Sequence, residues 1–130
     1  MGMAPVSSER VRKLSGYNYC MRKLRPRKRA LKLAAKVRER ISNALGQPVK
    51  VIMYGSQARG DATKASDIDL LVVLPSIDRD SRKLVSDIVW EIGFDAGKLI
   101  SAMTTTDVDI KYYAILPFYE NIKKEGIAVL

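Results

Sequence analysis

Two aspartates, Asp67 and Asp69, lie at the start of an apolar run that covers residues 68–74 and ends before Pro75. A short apolar run of this kind predicts a buried β-strand. Residues i and i+2 of a strand point to the same face, so the two carboxylates are expected side by side. A hard divalent cation, which prefers oxygen ligands, would relieve their repulsion. The sequence therefore predicts Mg²⁺ as the cofactor, with Asp67 and Asp69 as its ligands.

A glycine-serine turn precedes this pair. Residues 49–53 predict a strand that ends at Tyr54 and Gly55, and a glycine at that point lets the backbone approach a ligand closely. Ser56 offers an amide and a hydroxyl, and a helical turn from Ser56 to Arg59 would direct free amides with a partial positive charge toward an anion. Because Mg²⁺ usually takes part of its ligand set from substrate phosphates, the two motifs together predict a nucleoside triphosphate as the ligand.

The two motifs also constrain the topology. If the end of the first strand and the start of the second form one site, the two strands must run antiparallel. A third predicted strand over residues 98–103 then gives a small mixed or antiparallel sheet, and helices packed against it make the fold class α+β. The remaining predicted elements are a loop over residues 104–111, a helix over residues 116–124 and a short edge strand over residues 127–130.

Two amphipathic helices are predicted to cover the sheet. The first has apolar residues at spacings of three and four between residues 30 and 45, with Pro26 in its first turn and Gly46 at its end. The second covers residues 81–94. Its Trp90 lies oblique to the apolar stripe. We expect aromatic residues to be core residues by default, and Trp90 to be a partner contact only if its side chain is exposed.

The spacing of the two motifs is that of a known family. Gly55 and Ser56 are followed by ten residues and then by Asp67 and Asp69. This pattern resembles that of the minimal nucleotidyltransferases of the DNA polymerase beta superfamily, and the resemblance extends from about Leu31 to the C-terminus. It implies a polymerase beta-like nucleotidyltransferase fold.

The resemblance also implies roles for individual residues. Gly55 and Ser56 would bind the triphosphate, with Arg59 and Ser66 as further nucleotide contacts, and the aspartate pair would hold Mg²⁺ and carry the catalysis. A nucleoside monophosphate, AMP from ATP, would be transferred to a hydroxyl acceptor with loss of pyrophosphate. For Arg59, the alternative is a solvated loop arginine.

The family pattern includes a third carboxylate on the next core strand, where it binds metal and acts as a general base. The predicted third strand, residues 98–103, contains no carboxylate. Asp95 precedes that strand, and Asp107 and Asp109 follow it. Each would replace the missing group only if the backbone brings it to the metal, and otherwise is a surface residue. General base catalysis contributes about 10²–10⁴-fold to a rate, so a slow enzyme or a nucleotide-binding protein with little turnover is expected.

Positive charge is concentrated near the N-terminus. Residues 1–50 carry 14 Lys and Arg against 2 Asp and Glu, a net charge of +12, whereas residues 51–130 carry 9 against 12, a net charge of −3. The basic residues from Arg22 to Arg40 would attract nucleic acid phosphates or an acidic protein surface, or they form a solvated helix face. We expect residues 1–24 to be a basic, mobile arm and residues 25–130 to be the nucleotidyltransferase domain.

Several function classes are excluded by the composition. No His is present and Cys20 is the single cysteine, which excludes an internal disulfide, zinc sites with histidine ligands and Ser-His or Cys-His nucleophiles. No apolar run approaches the roughly 20 residues needed to span a bilayer, and the start lacks the apolar segment of a secretory signal. A cytoplasmic protein without membrane contact is expected.

Two functions are consistent with these residues. The first is a Mg²⁺-dependent nucleotidyltransferase whose acceptor is supplied by a partner, because 130 residues hold little beyond a catalytic core. In the resembling family, such domains often pair with a small helical HEPN protein as antitoxin and toxin, and the transferase modifies a tyrosine of its partner. The alternative is a catalytically weak nucleotide-binding or adaptor protein that uses its basic N-terminus to bind nucleic acid or a partner.

Overall fold

The computed structural model describes residues 25–130, which form a four-stranded sheet covered by helices. In chain order the elements are α1 (Lys28–Leu45), β1 (Lys50–Tyr54), α2 (Ser56–Arg59), β2 (Ile68–Val73), α3 (Arg79–Ala96), β3 (Ile100–Thr105), α4 (Asp107–Tyr112), α5 (Pro117–Glu125) and β4 (Ile127–Ala128). The basic arm predicted for residues 1–24 lies outside the described residues. Within those residues, every helix is too short or too polar to cross a bilayer.

The sheet has the strand order β3-β2-β1-β4. Strand β1 runs antiparallel to both β2 and β4, and β3 runs parallel to β2. The predicted α+β class, the mixed sheet and the antiparallel pairing of the first two strands are confirmed. The register places Tyr54 opposite Asp69 and Lys50 opposite Val73. As a result, the end of β1 and the beginning of β2 lie at the same end of the sheet.

The two faces of the sheet bury different side chains, because successive residues of a strand point to opposite faces. Leu70 belongs to the main core, which α1 and α3 cover, and this side is termed the α1/α3 face. Leu71 packs with Ile52 and with Ile122 of α5 on the other side, termed the α5 face. Asp69 and Leu71 are the two neighbours of Leu70 in β2, so both point to the face opposite Leu70. The side chain of Asp69 therefore lies on the α5 face.

Helix α1 follows the predicted apolar stripe, with small changes at its start. It begins at Lys28, because Arg27 still has an extended backbone, so the prediction that Pro26 lies in the first turn is wrong. It ends as predicted at Gly46, which adopts a left-handed conformation with φ 71° and donates its amide to the Asn43 carbonyl.

Helix α3 begins two residues before the predicted start because Asp78 and Ser81 form a capping box. The Asp78 carboxylate accepts from the Ser81 amide at 2.8 Å, and the Ser81 hydroxyl accepts from the Asp78 amide at 2.9 Å. The expectation that Trp90 is a core residue is wrong, because its side chain is 66 % exposed and stacks on Phe94.

The predicted loop over residues 104–111 is wrong. Strand β3 continues to Thr105, and α4 begins after Thr106, whose hydroxyl accepts a hydrogen bond from the Asp109 amide at 3.1 Å. The polarity of this stretch reflects an edge strand followed by a capped helix. An edge strand has only one neighbouring strand, so more of its surface can remain in contact with water.

The start of β3 and the last two elements of the chain differ less from the prediction. Strand β3 begins at Ile100, two residues later than predicted, since the Lys98 amide still donates to the Gly93 carbonyl in the last turn of α3. The helix predicted over residues 116–124 is α5, and the predicted edge strand is β4, which is only two residues long.

The packing of α5 on the sheet can be tested at Ile122, which is 1 % exposed. Ile122→Ala leaves a cavity against Ile52 and Leu71, and we expect a loss of about 2–5 kcal/mol in the free energy of unfolding. Ile115→Ala is the matched control, because Ile115 is 87 % exposed and its truncation should change that free energy by no more than about 0.5 kcal/mol. Urea unfolding followed by circular dichroism measures both, and equal losses would contradict the packing of the α5 face.

Candidate active site

The turn after β1 lies directly against the carboxylate of Asp69. Gly55 has φ 77° and ψ −159°, a conformation that residues with a side chain rarely adopt. A Cβ atom at Gly55 would lie 2.5 Å from Oδ2 of Asp69, closer than real Cβ atoms approach their neighbours. The close approach follows from the β1–β2 register, which places Tyr54 opposite Asp69. The glycine turn and the Asp69 carboxylate therefore lie next to each other, as the antiparallel pairing of the two strands requires.

The short helix α2 begins directly after Gly55. The amides of Ala58 and Arg59 both donate to the Gly55 carbonyl, at 3.1 and 3.0 Å. The amides of Ser56 and Gln57 precede them in the first turn, where a helix provides no acceptor for its own N–H groups. These two amides and the Ser56 hydroxyl are the donors available to a phosphate at this turn.

Asp67 and Asp69 lie at the beginning of β2. Asp67 directly precedes the strand and is exposed, whereas Asp69 lies within it and is half-buried. Burial raises the pKa of the Asp69 carboxyl above its usual value, the negative charge of Asp67 raises it further, and the positive charge of Arg59 acts in the opposite direction. Two carboxylates that repel each other beside a turn with free amides fit a divalent cation, which would remove the repulsion.

Within the part of the chain that the structure describes, the third carboxylate of the family pattern has no counterpart beside this pair. The register of β2 and β3 places Ser101 next to Asp69. Among residues 25–130, no three Asp, Glu, Cys or His side chains form a group that could hold a metal ion. The described part of the chain therefore offers a cation two carboxylates, and a bound phosphate or water would have to complete its ligand set.

The three aspartates considered as replacements lie elsewhere. Asp107 forms an ion pair with Lys50 at 3.2 Å. Lys50 pairs with Val73, which is four residues along β2 from Asp69. At the rise of a β-strand, Val73 and Asp69 are about 13 Å apart. Asp109 lies with Asp107 in α4, and Asp95 is exposed on α3, which covers the opposite face of the sheet. None of the three replaces the missing group.

Arg59 lies in α2 and is held by two carboxylates, so it is not a solvated loop arginine. Its Nε donates to Asp61 at 3.2 Å and its Nη1 to Glu125 at 2.9 Å. Glu125 ends α5, and burial and Asp67 raise the pKa of the Asp69 carboxyl against the opposite effect of the positive charge of Arg59. The sequence did not reveal Glu125, because spacing along the chain does not show a contact between residues 66 positions apart.

Gln57 is a second residue that the sequence did not single out. It is 4 % exposed, and its side-chain Nε2 donates to the backbone carbonyl of Ser66 at 3.2 Å. The backbone carbonyl of Gln57 accepts from the Arg27 amide at 2.9 Å. The Ser66 hydroxyl accepts from the Thr63 amide at 2.9 Å. Gln57 thus connects α2 to the loop that leads into Asp67, and Ser66 shapes that loop. The nucleotide contact predicted for Ser66 stays a prediction.

Comparison with known proteins assigns the class of this chain. A family model described as "Nucleotidyltransferase domain" matches residues 32–129. The match includes the glycine turn, the aspartate pair and most of the described fold. The chain therefore belongs to the nucleotidyltransferase domain family, a class of transferase enzymes, and the resemblance inferred from the spacing of its motifs is confirmed.

Two relatives come from Methanocaldococcus jannaschii. The chain is 38 % identical over 72 residues to MJ1305, a match that covers 53 % of this chain and 49 % of that protein. It is 33 % identical over 81 residues to MJ0604, a match that covers 62 % of this chain and 77 % of that protein. Both relatives are provisionally named protein adenylyltransferases. The match thus spans about half the length of MJ1305 and about three quarters of the length of MJ0604.

Gly55→Ala should damage both the stability of the protein and the site. The new Cβ would collide with Oδ2 of Asp69 and strain the backbone, so we expect a loss of about 1–3 kcal/mol in the free energy of unfolding. Binding of Mg²⁺-ATP, measured by calorimetry, should weaken by about tenfold or more.

Gly46→Ala is the matched control for this substitution. Gly46 also has a positive φ, 71°, but nothing lies within 4 Å of a Cβ built there. It should lower the free energy of unfolding and leave Mg²⁺-ATP binding unchanged. If Gly46→Ala weakens binding as much as Gly55→Ala, the contact of the turn with Asp69 does not organise the site.

Asp69→Asn tests the electrostatic cost of the carboxylate pair. The pKa of Asp69 is raised in the folded protein, so folding disfavours its ionised form; this penalty exists at neutral pH and is lost below the ordinary pKa of an aspartate. We therefore expect Asp69→Asn to raise the thermal midpoint of the metal-free protein at pH 7, with the gain disappearing as the pH falls toward about 3.

Asp78→Asn provides the opposite case. The thermal midpoints of both variants are measured by scanning calorimetry across the same pH range. Hydrogen bonds from Ser81 lower the pKa of Asp78, so its charge stabilises the folded protein above the unfolded pKa and this contribution is lost as the pH falls. Its replacement should lower the midpoint at pH 7. A lower midpoint for Asp69→Asn at pH 7 would contradict the account of the aspartate pair.

Proposed function

We propose that the chain transfers AMP from ATP, with Mg²⁺, to a hydroxyl of an acceptor protein. The observation that carries this proposal is the contact between the Gly55 turn and Asp69, which joins a phosphate-binding backbone to a metal-binding carboxylate. The names of the two relatives support both the adenylyl group and the protein acceptor.

Each residue of the site has a role in this proposal. The first-turn amides of α2 and the Ser56 hydroxyl bind the triphosphate, and Arg59, held by Glu125, balances its negative charge. Asp67 and Asp69 hold Mg²⁺, which when bound withdraws electron density from the phosphate oxygens. The acceptor oxygen forms a bond to the α-phosphorus, and the bond from that phosphorus to the oxygen bridging to the β-phosphate breaks. Pyrophosphate leaves, and the hydroxyl proton passes to solvent.

The reaction is expected to be slow. Among residues 25–130 no third carboxylate lies beside Asp69 to take the proton of the acceptor hydroxyl, and the loss of a general base lowers a rate by about 10²–10⁴-fold. Binding of ATP is not affected by this loss, because the amides of α2 and the aspartate pair are independent of the missing group.

We propose further that the acceptor is a tyrosine of a HEPN-type partner in a toxin-antitoxin pair. The family resemblance supports this partner. The exposed face of α1 adds a physical reason for a protein partner with acidic groups, because Lys28, Lys32 and Lys36 are all exposed there.

A nucleotide-binding adaptor is the second candidate, and the missing third carboxylate favours it. In that case the site would bind ATP with little turnover, and the basic residues from Arg22 to Arg40 would bind nucleic acid or a partner.

Transfer of label from ATP carrying a labelled α-phosphate separates the two candidates. The native chain, Asp69→Asn and Asp107→Asn are each incubated with Mg²⁺ and a lysate of the cell of origin. We expect a labelled protein with the native chain and with Asp107→Asn, because Asp107 lies at the other end of the sheet in an ion pair with Lys50. Asp69→Asn should reduce the label by about 100-fold or more.

The two other outcomes are also informative. ATP binding without any labelled product would favour the nucleotide-binding adaptor. Equal labelling by the native chain and Asp69→Asn would show that the aspartate pair does not carry the reaction.

A further inference from the structure

Strand β3 is an edge strand with one free side. It pairs with β2 alone in the described structure, where the carbonyls of Leu99 and Thr105 accept hydrogen bonds from the amides of Ile68 and Leu74. Alternate residues of a strand direct their N–H and C=O groups to opposite sides. The residues of β3 whose amides and carbonyls point away from β2 are therefore Ile100, Ala102 and Thr104.

The free side of β3 lacks the usual protection of an edge. Soluble proteins protect edge strands with charged residues, prolines, bulges or very short strands. Strand β3 is six residues long and its sequence, ISAMTT, has neither a charge nor a proline. The opposite edge, β4, has only two residues. The free side of β3 is thus a template for a further strand.

An apolar groove runs along this edge on the α1/α3 face. It has a volume of about 740 Å³ and lies between α3 and β3. Trp90 and Phe94 line it with stacked rings 5.1 Å apart, and these side chains are 66 % and 71 % exposed. Val89 and Ala102 also line the groove. Two exposed aromatic rings beside an unpaired strand are typical of an interaction site.

The charges around the groove restrict its occupant. Arg82 and Lys98 line it, and among the described residues no carboxylate does. An anionic segment is therefore favoured. The same edge of a second copy would bring another Arg82 and Lys98 to the groove, and the chain's own residues 1–24 hold five Lys and Arg against one Glu. Both are cationic and match the groove poorly.

The same edge lies one strand away from the aspartate pair. Ser101 is next to Asp69 and is exposed on the α5 face. A strand added to β3 would lie about 10 Å from β2, and its side chains would alternate between the two faces. One set would enter the apolar groove. The other set would extend over Ser101 toward Asp69, because serine leaves that space open.

From this geometry we infer that the acceptor protein binds as an extended, acidic strand on the free edge of β3. Its hydroxyl-bearing residue lies on the α5 face, the residues on either side of it are apolar and enter the groove, and acidic residues near the ends meet Arg82 and Lys98. The inference rests on the proposed function, because it describes how the acceptor of that reaction is recognised.

A display library of nine-residue peptides tests this recognition. The central residue is Tyr, Thr or Ser in three sub-libraries, and the other positions are random. Selection on the native full chain should enrich apolar residues on both sides of the centre and Asp or Glu near the ends. Selection on the double variant Trp90→Ala, Phe94→Ala should lose that enrichment. No such pattern on the native chain, or the same pattern on both proteins, would overturn the inference.

A selected peptide then distinguishes strand addition from simple apolar binding. N-methylation of one alternating set of its amides should weaken binding by about tenfold or more, because those amides bond to β3, and N-methylation of the other set should leave binding unchanged. The side chains are the same in both peptides. Equal effects of the two modifications would show that the peptide does not add to the sheet.

Three further outcomes separate the alternatives. Sedimentation of the native chain alone should show a monomer, and a dimer that Ala102→Pro dissociates would assign the edge to a second copy and overturn the inference. Binding of the selected peptide without transfer of AMP to any acceptor would support β3 as a docking edge and refute the proposed function. Protein labelling that Trp90→Ala, Phe94→Ala leaves unchanged would keep the function and overturn the docking edge.

Discussion

The antiparallel register of β1 and β2 is the constraint on which the whole site depends. It places Tyr54 opposite Asp69 and brings the Gly55 turn against the Asp69 carboxylate. A shift of one residue would turn Asp69 toward the α1/α3 face and separate it from the turn. Leu70 and Leu71, buried on opposite faces, disfavour that shift, because it would exchange the partners of both side chains. The hydrophobic core thus also positions the polar site.

The site itself combines groups that are unfavourable without a ligand. Asp69 is half-buried beside Asp67, and the free amides of α2 lie next to the same turn. A triphosphate with a divalent cation would pair the amides with phosphate oxygens and the carboxylates with the metal. Arg59, fixed by Asp61 and Glu125, adds a positive charge that already stabilises ionised Asp69.

Residue spacing predicted the elements that depend on neighbouring residues and missed those that depend on distant contacts. The apolar run after Asp67 and the glycine-serine turn were enough to predict two antiparallel strands and one site. Glu125 and Gln57 were not predicted, because their contacts with Arg59 and Ser66 exist only in the folded chain. The loop predicted over residues 104–111 was wrong because polar residues on an exposed edge strand and a capped helix have the composition of a loop.

If the turn and the aspartate pair bind one ligand together, as we propose, the affinity of the protein for a nucleotide must depend on the metal. The measurement is calorimetric titration of a non-hydrolysable ATP analogue with and without Mg²⁺, on the native chain and on Asp67→Asn. We expect Mg²⁺ to strengthen binding to the native chain by about tenfold or more and to have a much smaller effect on the variant. An equal effect of Mg²⁺ on both proteins would contradict a shared site.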